Sequence, residues 1–227
     1  MNTQNRSLVL LAIAGVAMAT FSLTAVAGTL SISTTAPTVD GLDIANLAAG
    51  TATQKWFDDV EHDAGQTFTT TVAGKLNSFT IHLSAGQEVD TNESIFLRLG
   101  TITRPGGVFT FTDIYQETIA WNDTTSADWL ANDYITFSYD TPQTLAAGVE
   151  YGVITDGQSF GAWQNGIPYR HRTGDVLAGG SLINRGGETA GSDLVFHADI
   201  SPVPEPTTFA LAGLGLFGLI GFRRRRR

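Results

Sequence analysis

The sequence predicts an all-β domain, an antiparallel two-sheet sandwich of jelly-roll type, set between an N-terminal signal helix and a C-terminal transmembrane helix. Three observations predict it. Apolar residues recur at every second position in segment after segment, turn residues separate those segments, and the 25 glycines gather in the breaks. No run with a 3.6-residue period is long enough to cover a sheet, which removes the crossover helices that a parallel sheet needs. A closed barrel is the alternative, and the absence of a constant repeat argues against propellers and solenoids.

The first element is residues 1–27. Met1 to Ala27 has a polar start with Arg6, an apolar stretch from Leu8 to Met18 and a small-residue exit at Ala25-Val26-Ala27. That order is a secretory signal peptide, too short in its apolar part to span a bilayer. Ala25, Ala27 and Gly28 frame the expected cleavage, and the Sec translocon and signal peptidase are the implied partners.

Next comes the domain, residues 28–201, which are 174 in number and enough for a hydrophobic core without cross-links. Phe79, Ile81 and Leu83 alternate with Thr80 and His82; Ile95, Leu97 and Leu99 with Phe96 and Arg98; Ile135, Phe137 and Tyr139 with Thr136 and Ser138. Leu194, Phe196, Ala198 and Ile200 repeat the period, which is that of a half-buried strand. Further strands are expected over 66–72, 109–115, 117–121 and 149–155, with a weaker one around Ala162. Only Asp40–Ala49 and Ser126–Ala131 are expected to form a turn or two of helix.

The chain has no cysteine, so disulfides, thiolate metal sites and cysteine nucleophiles are all excluded. Within 28–201 stand seven basic and 21 acidic residues, a net charge of −14. Such a surface repels phosphate backbones and argues against nucleic acid as a partner.

After Ile200 the composition changes. Ser201-Pro202-Val203-Pro204-Glu205-Pro206 is a stiff spacer, because its prolines remove donors and force extended backbone. Thr207 or Thr208 can cap a helix; Phe209 to Phe222 is unbroken apolar residue or glycine, and Arg223, Arg224, Arg225, Arg226 and Arg227 follow. As a helix, 207–222 reaches about 24 Å against roughly 30 Å of hydrocarbon, a deficit that snorkelling arginines and local thinning make up. The arginines hold their end in the cytoplasm, which puts the acidic domain outside, anchored to the inner membrane.

Residues 202–227 resemble the PEP-CTERM sorting signal of Gram-negative bacteria: Val203, Pro204, Glu205 and Pro206, then the apolar helix, then the basic cluster. The resemblance implies recognition by an exosortase-type membrane protease, a final location in the envelope or outside the cell, and a system that works alongside exopolysaccharide production. Within the domain, 65–68, 76–81, 145–151, 178–181 and 193–196 resemble the choice-of-anchor modules, which are β-rich.

Several motifs point to chemistry that their surroundings do not support. Gly157-Gln158-Ser159-Phe160-Gly161 has the letters of an esterase elbow but no following helix. Gly213-x-Gly215-x-x-Gly218 spells a dinucleotide fingerprint inside the apolar tail. Glu88, Asp90 and Glu93 resemble the paired carboxylates of laminarinase-type hydrolases, yet Thr91 and Asn92 are polar where that strand packs inward. Asp58, Asp59, Glu61 and Asp63 form an acidic knot with oxygens for a structural calcium, outside any EF-hand spacing.

The four histidines lack metal spacing and read as single exposed residues. Trp163 and Tyr169, with Arg170 beside them, make the best candidate for a carbohydrate platform. The expected function is therefore a non-enzymatic envelope or matrix protein needing no cofactor. A carbohydrate-binding module for exopolysaccharide is the second reading and a polysaccharide-active hydrolase the third.

Overall fold

The computed structural model describes residues 28–48, 52–56, 64–84, 94–120, 130–157 and 167–203. Fourteen strands lie among them: β1 (Thr29–Ser33), β2 (Ile44–Asn46), β3 (Ala52–Trp56), β4 (Ala64–Thr69), β5 (Gly74–His82), β6 (Ser94–Thr103), β7 (Thr110–Ala120), β8 (Tyr134–Leu145), β9 (Glu150–Gly157), β10 (Ile167–Thr173), β11 (Leu182–Asn184), β12 (Gly187–Thr189), β13 (Ser192–Leu194) and β14 (Phe196–Pro202). Every named strand pairing is antiparallel.

One sheet runs β1-β8-β5-β14-β2 and the other β12-β11-β4-β9-β6-β7, with a small third sheet β13-β10-β3. The central pairings are nested: β6 with β7, β5 with β8, and β4 with β9. Each hairpin partner is thus enclosed by the next pair outward in the chain. The alternation explains the packing, because Phe79, Ile81, Ile135, Phe137, Phe196 and Ile200 of one sheet meet Phe68, Leu97, Leu99 and Val153 of the other in a single core. Phe79 and Phe196, on neighbouring strands, stack with ring centroids 5.6 Å apart.

Two expectations change in detail. The runs 109–115 and 117–121 are one strand through Ala120, split to the eye because Leu99 pairs Tyr115 while Gly100 pairs Asp113. Ile114 is the extra residue of that bulge, half exposed, and it shifts the apolar phase by one. Over Asp40–Ala49 the helical turn is replaced by a tight turn and β2, because the Asp43 carboxylate accepts the Asp40 N–H and the segment then pairs with β14. The weak strand around Ala162 and most of Ser126–Ala131 lie outside the described residues. A strand does follow, at Ile167–Thr173.

Candidate functional site

The sorting segment leaves the domain from β14, an interior strand with β5 on one side and β2 on the other. Pairing with β5 continues to Pro202 opposite Gly74, so the backbone is held to the last residues before the spacer. Proline is tolerated there because the strand is ending.

Around this root the outer face of the sheet is riveted by polar contacts. The Asp43 carboxylate accepts the Ile200 N–H at 2.8 Å and lies 3.0 Å from His197 Nε2, both side chains being almost fully buried. Burial pushes the Asp43 carboxyl up, but the N–H groups of Asp40 and Ile200, and then His197, outweigh it and hold it below its usual value. Asn77, at a bulge in β5, donates to Asp199 at 3.1 Å and accepts from Ser201 at 3.3 Å. A cleft of about 180 Å³, lined by Leu42, Asp43, Val72 and Ile200 among others, opens beside the root.

A second polar cluster joins the small sheet to the sandwich. Gln66, buried at an inward position, donates to Asp193 at 2.8 Å and accepts the Leu194 N–H at 2.7 Å; Asp193 also accepts the N–H groups of Val176 and Leu177. With both residues fully buried and hydrogen-bonded, the cluster orients β13 and β4. At the surface Arg104 bonds both Glu150 and Glu188, which raises the arginine further above its range and holds Glu188 below the usual carboxylate value. These are structural ties.

The predicted site residues fall as follows. Gly28 is buried at the head of β1, while Ala25 and Ala27 lie outside the described residues. Val203 is half buried just past β14; Pro204, Glu205, Pro206 and Arg223–Arg227 lie outside. Tyr169 corrects the carbohydrate reading: it is fully buried in the core, so its ring offers no face to a sugar. Arg170 donates to Asn132 at 2.8 Å, and Trp163 lies outside the described residues.

The histidines are also corrected. His197 is 4% exposed and His82 8%, the latter stacked on Tyr134 at 4.3 Å, while His171 is half buried. Burial and the charge of Arg170 hold His82 below its ordinary value, and burial does the same to His171. His62, the acidic knot at 58–63, Glu88, Asp90 and Glu93, Gln158 to Gly161 of the esterase-like motif, and the glycines of the tail lie outside the described residues. Among the described residues no three His, Asp or Glu side chains gather as a metal site, and no helix is long and apolar enough to cross a membrane.

Sequence reading missed the Asp43–His197 pair, whose members stand 154 residues apart. It also missed Glu117, buried at an inward position between Tyr115 and Ile119. A carboxylate in phase with an apolar face was the available signal.

Residues 202–226 match the PEP-CTERM protein-sorting motif, which marks exported proteins that an exosortase, a protease-type partner, sorts at the membrane. None of the curated proteins matches the chain. Among solved structures, the clostridial cysteine protease Cwp84 after propeptide cleavage aligns over 74% of this chain and 42% of its own, at 11% identity and a TM-score of 0.44. The cysteine protease and lectin-like domains of Cwp84, a surface layer associated protein of Clostridium difficile, align over 74% and 37% with the same identity and score. The chain spans about two fifths of the length of these proteins.

Proposed function

We propose that this chain is a non-enzymatic surface or matrix protein of the cell envelope, whose domain is displayed outward and delivered by its tail. In this reading the Sec translocon exports it, signal peptidase removes residues 1–27, and the segment 207–222 holds it in the inner membrane until an exosortase acts at Val203-Pro204-Glu205-Pro206. Exopolysaccharide is the surrounding that the sorting system suggests. The sorting motif at 202–226 carries the reading.

Two features of the domain support it. The strand order β2-β14-β5-β8 facing β4-β9-β6-β7, with nested pairs, favours a jelly roll, a two-layer scaffold around one core. The tail root continues an interior strand, so tension on the anchor is taken by hydrogen bonds from β5 and β2 and by the Asp43–His197 pair.

Fractionating cells that carry the intact chain or Glu205→Gln tests the proposal. The parent is expected in the envelope or medium, and the variant in the inner membrane at the mass of the unsorted chain. Finding both dissolved in the cytoplasm with Met1 attached would overturn it.

A further inference from the structure

The structure places a buried carboxylate against the residue that leader removal would make the first of the chain. Glu117 lies on β7 directly opposite Leu97 and in phase with Ile119, so its side chain points inward, into the seam where β7 meets β8 and β1. It is 7% exposed. Its hydrogen bonds come from the Asp140 N–H, 3.2 Å from each carboxylate oxygen, and from the Tyr115 hydroxyl at 3.4 Å. Both donors are neutral, and no ion pair to Glu117 occurs among the described residues.

Burial first, and Glu117 second, push the phenols of Tyr115 and Tyr139 up. A buried carboxylate with neutral donors alone is a costly arrangement, because desolvation is repaid only by an opposite charge in good geometry.

Gly28 lies at that spot. It shares the inward phase of Leu30 and Ile32, and it is buried. A Cβ on residue 28 would stand 2.7 Å from Glu117 Oε1 and 2.6 Å from the Ser138 carbonyl oxygen, so only glycine fits without displacing one of them. The nitrogen of Gly28 is bonded to the same Cα and therefore lies within roughly 5 Å of the carboxylate. In the unprocessed chain that nitrogen is a neutral amide. Hydrolysis of the Ala27–Gly28 peptide bond turns it into an ammonium, with the new carboxylate leaving on Ala27.

We propose that the α-ammonium of Gly28, created by leader removal, forms a buried ion pair with Glu117 and locks β1 onto the seam between the sheets. The inference rests on the export reading above and assigns a purpose to the cleavage beyond release. The charge that completes the pair does not exist until the leader has been removed.

The full chain, isolated from cells in detergent, is treated with acetic anhydride at neutral pH, and its peptides are read by mass spectrometry. Besides Gly28 the mature chain has two amines, Lys55 and Lys75, as references. An exposed α-amine, with a pKa near 8 against roughly 10.4 for lysine, reacts faster than either. The expected result is the reverse: Gly28 acetylated about tenfold more slowly in the folded chain than in urea, a loss of free amine corresponding to one unit of pKa, with the protection abolished in Glu117→Gln.

Equal reactivity of Gly28 in folded and unfolded protein overturns the inference, as does protection that survives Glu117→Gln. Should that variant unfold, the comparison of folded with urea-unfolded parent still decides. A chain that begins at Met1 sinks the export reading and this pair together, whereas a chain that begins at Gly28 with an unprotected amine sinks the pair alone.

Discussion

At the scale of single residues, stability hangs on buried polar groups whose partners lie far away in sequence. Asp43 is held below its usual pKa, so its stabilisation is complete above the unfolded value near 3.9 and is lost as pH falls through the folded one. Asp43→Asn is expected to cost about 1–3 kcal/mol at neutral pH, measured by urea unfolding, because it weakens the charge-assisted hydrogen bonds from the Asp40 and Ile200 N–H groups. The difference from the parent should shrink in acid. His82 acts in a different window: its folded pKa lies below 6.5, so the unfolded chain takes up the proton first and stability falls as pH drops from about 7 towards the folded value. His82→Phe should flatten that part of the melting-temperature profile while keeping a ring against Tyr134.

Single elements show how closely the strands are fitted. Gly100 sits at the β7 bulge, where a Cβ would come 2.5 Å from Phe111 Cζ and 2.6 Å from the Thr112 carbonyl oxygen. Gly100→Ala is therefore expected to destabilise by about 1–3 kcal/mol, by pushing the Phe111 ring off the β6 backbone. Arg98 lies over that ring at 5.2 Å and grips Asp113, so its contacts should loosen as well. Strands β4 to β9 and β14 were legible from alternation: Ile95, Leu97 and Leu99, or Ile135, Phe137 and Tyr139, are buried as their phase demands. Strands β1, β3 and β10 were not expected, and neither were the short β2, β11, β12 and β13, whose three residues carry no period and are strands only through their partners. Tyr169 was misread for a similar reason: an aromatic beside polar residues looks like a platform until the bridge between Leu83 and Tyr169 turns it into the core.

For the whole molecule, the register sets a polarity. Thr69, Gly74, Leu145, Glu150 and Pro202 gather at the end from which the tail departs, while Ala64, Ser94, Ala120 and Gly157 mark the opposite end. In the proposed reading, with 207–222 in the membrane, that far end faces away from it. Replacing Arg223–Arg227 by glutamine removes the charges that set orientation, and protease protection in spheroplasts should then report a mixed population instead of a domain that is wholly outside.

The sequence by itself carried the sorting motif at 202–226 and showed how the long strands alternate. A proline spacer, an apolar run and an arginine cluster are features of local composition, and a period of two is local as well. Only the tertiary structure decided which polar groups are buried together: Asp43 with His197, Gln66 with Asp193, and Glu117 against Gly28. Those meetings depend on strand order and register across 89 to 154 residues, and no short stretch of sequence carries that information.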